Sequence, residues 1–155
     1  MRLSADGDLS YQGEPVTHPR VQSLFHRGVV VRADGEVILQ VGEQWAYLEC
    51  ETVAHFVERL ATDERGLLVT FRGGEARSCP EPRLGMAPDS RFYLWSSRGE
   101  APSVLLRLAH HQVAEALEED ASAGAVFVAG ALRLPVEELT GIPGVADRWA
   151  GQDGP

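Results

Sequence analysis

The sequence predicts an α+β fold of mostly antiparallel sheets in two similar subdomains, each carrying one helix. Three observations predict it. Strand-length apolar runs such as "VVVR", "EVILQV", "LLVTFR" and "RFYLWSS" recur along the 155 residues, with turn residues between them. Only two stretches carry a helical stripe, and the connections are too short for repeated parallel crossovers. The pattern also breaks and restarts near residue 52. That seam divides the chain into an N-terminal α+β subdomain over 1–51, a C-terminal antiparallel sheet plus helix over 52–140, and a Gly/Pro-rich tail over 141–155.

Each element follows from local pattern. Residues 8–12, "DLSYQ", read as a short strand. A helix comes next, with Thr17 as its N-cap, Pro19 in its first turn, an apolar face at Val21, Leu24 and Phe25, and Gly28 as its stop. Three runs from Val29 to Glu51 form a meander in which Asp34-Gly35 is a two-residue hairpin signal and Glu43 sits at the tip of the second turn. "LLVTFR" and "EARS" flank a Gly73-Gly74 turn, whereas 79–90, "CPEPRLGMAPDS", has three prolines and no period and reads as a connecting loop. "RFYLWSS" is a strand, and "PSVLL" enters a strand or the next helix. Residues 106–119 carry the best helical stripe, at Leu106, Ala109, Val113, Ala116 and Leu117. "AVFVAGALRL" is a final strand, "PVEELTG" a short helical turn, and Trp149 the one large apolar anchor of the tail.

Composition excludes several classes. Fourteen basic residues stand against 23 acidic ones, a net charge of -9, which opposes binding of nucleic-acid polymers through their phosphates. All the basic residues are arginine, so no lysine exists to form a Schiff base or a phosphate-loop contact. No run reaches the roughly 18 apolar residues of a membrane span. Two cysteines, Cys50 and Cys79, do not make a disulfide framework, and no secretory leader pattern opens the chain, so a cytoplasmic protein with free thiols is expected.

No chemical constellation assigns an activity. His110 and His111 point about 100° apart on a helix and lack a third ligand at helical spacing, so no metal site is expected there. His110 borders the apolar stripe and His111 faces solvent. His18 and His26 lie roughly 12 Å apart along one helix, too far to share an ion. Cys50 reads as a small buried side chain, while Cys79, opening the Pro-rich loop, is a candidate for exposure and redox sensing. No nucleophile elbow or cofactor motif is present, the paired carboxylates of "LEEDA" and "VEEL" read as solvated helix ends, and no cofactor is expected. Arg72 and Arg77 flank the glycine turn, with Arg83, Arg91 and Arg98 in the same third of the chain; glycine amides and guanidinium groups can hold an anion, although a solvated hairpin tip has the same pattern.

In the order and spacing of its blocks, the chain resembles the bacterial family known as domain of unknown function 1285. The family's G-x-W-x-Y/H-x-G-x-P-I stretch corresponds to "DGDLSYQGEPV", its R-x-x-L-V-x-L-F helix to "HPRVQSLF", and its L-V-T-P-V-E-K strand to "ILQVGEQ". The V-E-D-x-P-F segment corresponds to "LECETVAHF", and the C-terminal strand-helix and strand to "SVLLRLAHHQVAEAL" and "GAVFVAGALRLPV". The match runs from about residue 6 to 136. It departs where the family's tryptophan is Leu9 and where the lysine and proline beside Glu43 are absent.

The resemblance implies a duplicated α+β core whose second half is similar to pleckstrin-homology folds, and a cleft between the halves for a nucleotide-like ligand. The expected function is a non-enzymatic regulatory or sensor domain that binds a small anionic ligand between its subdomains through Glu43, Arg72 and Arg83. Glu43 needs no such role to occupy a turn. Two alternatives stay open: a homodimerising interaction module that uses a sheet edge or the "FYLWSS" strand, and a hydrolase or redox enzyme that uses His110, His111 or Cys79.

Overall fold

The computed structural model describes residues 1–96 and 100–148. Arg98 and Trp149 therefore lie outside the described residues. The chain opens with β1 (Arg2–Leu3), β2 (Leu9–Tyr11) and β3 (Glu14–Pro15), followed by helix α1 (Pro19–Arg27). The meander β4 (Val29–Val31), β5 (Val37–Val41) and β6 (Gln44–Tyr47) comes next, then β7 (Glu49–Cys50). β1 pairs antiparallel with β2 and parallel with β7, giving a four-stranded sheet of order β3-β2-β1-β7. The meander forms its own three-stranded sheet, as its alternation predicts.

Two local details of this first part differ from expectation. The α1 cap is His18 rather than Thr17: its Nδ1 accepts from the Arg20 N–H at 3.2 Å, because Pro19 occupies the first helical position and the residue before it takes the cap. The β4–β5 connection spans residues 32–36 and not a two-residue turn, with the Arg32 N–H donating to the Glu36 carbonyl at 2.7 Å. Asp34 Oδ1 accepts from the Glu36 N–H at 2.9 Å and tightens the loop.

The remaining chain builds one nine-stranded sheet. Its strands are β8 (His55–Asp63), β9 (Gly66–Phe71), β10 (Ala76–Cys79), β11 (Arg83–Met86), β12 (Phe92–Trp95) and β13 (Ser103–Leu105). Helix α2 (Arg107–Glu115), β14 (Leu117–Asp120), β15 (Gly124–Ala129) and β16 (Leu132–Glu138) complete it. The order is β10-β9-β8-β13-β12-β11-β16-β15-β14, antiparallel except where β13 joins β8 and β11 joins β16. The fold is thus α+β with mostly antiparallel pairing and, among the described residues, two helices.

Three expectations about this region are corrected. Residues 83–86 are a strand within the segment expected to be a loop; Pro80, Pro82 and Pro88 bound the strand and do not interrupt it. The second helix ends at Glu115, and Leu117–Asp120 form an edge strand in register with Phe127 through Gly124. Pairing with β15 outweighs the helix preference of Leu and Glu. "AVFVAGALRL" and "PVEELTG" are two strands turning at Gly130, and Pro135 lies inside β16 opposite Val126.

Two apolar clusters lie on this framework. One joins Ala109 and Val113 of α2 to Val57, Leu60, Val69, Phe71 and Phe127 of the large sheet. Gln112 ties this helix to β8, its Nε2 donating to the Leu60 carbonyl and its Oε1 accepting from the Leu60 N–H, both at 2.9 Å. The other cluster draws Leu3, Leu9, Val29, Val37 and Leu48 together with Phe56, Tyr93, Trp95 and Val104. Residues from both sides of position 52 share it, so the meeting place is packed, and an open groove remains at its rim. No helix among the described residues is long and apolar enough to cross a membrane.

Candidate functional site

The rim groove has a volume of about 370 Å³ and runs between the end of α1 with β4 on one side and β8, β9 and β13 on the other. Its charged lining consists of Arg27, Arg72, Arg77 and Arg148 against Glu75 and Glu100. In a chain of net charge -9 this is a local reversal of sign.

Backbone geometry holds the arginines. Arg72 leaves the end of β9 and donates from Nη1 to the Gly7 carbonyl at 2.9 Å, with the Asp8 carboxylate 3.8 Å from Nη2. Arg27, in the last turn of α1, donates from Nη1 to the Gly73 carbonyl at 2.9 Å. That carbonyl is available because Gly73 adopts φ +103 and because a Cβ there would meet the Ser23 carbonyl oxygen at 3.1 Å. Only glycine suits both the left-handed backbone and the close helix. Arg77 lies over the Phe71 ring, 4.7 Å from its centroid, and pairs with Glu75 at 3.1 Å. Arg148 donates to the Arg32 carbonyl at 2.6 Å, which docks the segment after β16 across the rim. The same segment is tied down by the Trp95 indole N–H on the Asp147 carbonyl at 2.8 Å.

Two histidines also line the groove. His26 is 7% exposed, its Nε2 is buried without a hydrogen-bond partner, and its ring meets Phe56 edge-on. Burial, and then the Arg72 guanidinium, push its pKa down to about 4. His55 stands at the start of β8 against Phe71, and burial followed by Arg77 pushes it down to about 4 as well. Both rings are therefore neutral at pH 7. No local pattern marks this pair, because the meeting of His26 and His55 in one groove depends on how α1 lies across β8.

The three site residues expected from sequence are not brought together. Arg72 lines the groove. Glu43 is exposed at the β5–β6 turn, and Arg83 lies on β11, where its Nε and Nη2 contact Glu137 at 2.6 and 2.7 Å. Of the residues named for the enzymatic alternative, His110 and His111 meet edge-on with ring centroids 6.0 Å apart. His110 packs on Phe92 with ring centroids 4.9 Å apart, and His111 is exposed, as its place on the helix predicts. Cys79 is buried, contrary to the exposed position expected of it, and its Sγ–H donates to the Ser96 carbonyl at 2.7 Å. "FYLW" is buried throughout in the middle of the large sheet, so it offers no outer face for association. Among the described residues no group of three or more His, Cys, Asp or Glu side chains could hold a metal ion.

No protein-family model and no curated protein matches the chain. Solved structures do. The chain is similar to a DUF1285 family protein from Silicibacter pomeroyi DSS-3 with a TM-score of 0.65 and 18% identity, over 88% of this chain and 79% of that one. It is also similar to a DUF1285 family protein from Shewanella baltica OS155, with a TM-score of 0.55 and 18% identity over 74% of this chain and 89% of that one. The resemblance read from the sequence blocks thus extends to the fold.

Proposed function

We propose that the protein is a non-enzymatic binding domain of a regulatory or sensing kind, and that a small anionic ligand occupies the groove at the rim of the packed joint. One observation carries the reading: arginines from α1, β9, β10 and the segment after β16 converge on one concavity beside a buried, unpartnered imidazole nitrogen. Guanidinium groups offer paired donors to oxyanions, and buried polar atoms ordinarily have partners. A nucleotide or a smaller phosphorylated compound has the chemistry this lining would recognise.

The test is a thermal-denaturation series with nucleotides, pyrophosphate and inorganic phosphate at millimolar concentration, with chloride at matched ionic strength as control. A ligand that binds the fold raises the melting temperature by mass action. A rise is expected in the parent protein, reduced in Arg27→Ala and retained in Glu43→Ala. No rise with any of these anions would overturn the reading.

A second reading, as a self-associating module, is favoured by β6. This strand is the edge of its three-stranded sheet, and its Trp45 and Tyr47 are 52% and 58% exposed, packed edge-on with Arg32 over the Trp45 ring. A molar mass that stays monomeric across a dilution series would dismiss it.

A further inference from the structure

Consecutive residues of a strand point their side chains to opposite faces, so Val29, Val30 and Val31 can all line one groove only where it runs along the edge of β4. Resting on the reading of that groove as an anion site, we propose that its ligand is the C-terminal end of an extended peptide. The peptide pairs with β4 as an added antiparallel strand and places its carboxylate at Arg27.

The free edge follows from register. Among the described residues β4 pairs with β5 and with no second strand. The Gln40 N–H donates to the Gly28 carbonyl at 2.8 Å, and the Arg32 N–H to the Glu36 carbonyl at 2.7 Å. Hydrogen-bonded positions alternate along an antiparallel pair, so Gly28, Val30 and Arg32 turn their backbone groups toward β5. The N–H and C=O groups of Val29 and Val31 turn the other way, along the groove. Unpaired edge groups of this kind are what an extended peptide reads.

Length and direction follow from the ends. Three residues of β4 at about 3.3 Å each give roughly 10 Å of pairing, enough for a tripeptide. At the start of β4, α1 packs on the Gly73 turn and Arg27 bridges the two walls through the Gly73 carbonyl, so an occupant ends there. An antiparallel strand has its C-terminus at that end. Its last residue then lies opposite Val29, donates its N–H to the Val29 carbonyl, and accepts from the Val29 N–H on its carboxylate. Its first residue exchanges the same two bonds with Val31, and its middle N–H points away.

The charge is supplied by Arg27. Arg72 faces the Asp8 carboxylate and Arg77 pairs with Glu75, whereas Arg27 has a neutral carbonyl as its partner. Only Gly28 separates Arg27 from Val29, and the unpartnered Nε2 of the adjacent His26 lies in the same lining. The facing wall is apolar at Ala54, Phe56, Phe71 and Ala101, which suits small apolar side chains.

Nuclear magnetic resonance titration of the whole protein with acetyl-Ala-Val-Ala, bearing a free carboxylate, tests this beside acetate and inorganic phosphate. The tripeptide is expected to bind at least tenfold tighter than acetate and to slow hydrogen exchange at the Val29 and Val31 amides. N-methylation of its third residue should weaken binding about fivefold, and of its second should leave binding unchanged. Capping the carboxylate as an amide should weaken it about tenfold, and Arg27→Ala should abolish the difference between acid and amide.

Phosphate binding with a tripeptide no tighter than acetate would overturn the peptide assignment while the anion groove stood. Equal losses from the two N-methylations would overturn the strand pairing, and an amide as tight as the acid would overturn the role of the carboxylate. Binding by neither phosphate nor tripeptide would overturn the groove reading and this inference together. Should Arg27→Ala fail to fold, the comparison of acid with amide on the parent protein decides.

Discussion

The Arg83 guanidinium grips the Glu137 carboxylate with two prongs, at 2.6 and 2.7 Å, and so ties β11 to a parallel strand that the chain reaches 54 residues later. The pair is part-exposed, its side chains 32% and 42% accessible, which limits its worth despite good geometry. Glu137→Gln should keep the packing, lose the charge pairing and lower stability by about 1 kcal/mol, read as a lower urea midpoint with an unchanged slope.

Gly28 follows α1 with φ -88, an ordinary backbone angle, so its role is space and not conformational freedom. A Cβ there would collide with the Gln40 carbonyl oxygen, which is fixed in β5, and would press on Leu39. Gly28→Ala should therefore destabilise the protein by about 2 kcal/mol, since a backbone atom cannot yield as a side chain can. Thermal denaturation of the variant checks this.

Stability should fall as the solution is acidified from pH 7 toward 4. His26 and His55 keep folded-state pKa values of about 4 against 6.5 when unfolded, so between those values the unfolded chain binds more protons. Above pH 7 both forms are neutral and the effect is absent. Urea midpoints at pH 5.5 and 7.5 should differ in the parent protein and differ less in His55→Gln.

The thiols should be unreactive while the protein is folded. Burial pushes Cys50 up to about 11, and burial with the nearby Glu100 charge pushes Cys79 up to about 12, so neither presents a thiolate at neutral pH. Labelling with a thiol-specific reagent should be slow at half-buried Cys50 and should reach Cys79 only in denaturant. Rapid modification of Cys79 in the native protein would contradict this account.

Strands and helices with strong local signals were legible in the sequence: the α1 stripe ending at Gly28, the meander, and "LLVTFR" before its glycine turn. The errors share one cause. Leu117–Asp120 and Pro135 carry local preferences for helix or turn, and strand pairing with distant partners overrides them. Residues 83–86 look like a loop because their strand character comes from Phe92–Trp95 on one side and Val136–Glu138 on the other. Of the candidate site, Arg72 was legible because it adjoins a glycine turn. Arg27, His26, His55 and Arg148 were not, since the groove joins segments more than a hundred residues apart.

The two parallel pairings have a consequence for biosynthesis. β8 waits for β13 and β11 waits for β16, so the large sheet cannot close until residue 138 has emerged from the ribosome. Until then Leu84, Phe92 and Leu94 have incomplete cover on a nascent chain. Long-range pairings of this kind close slowly and leave apolar surface exposed to aggregation in the meantime.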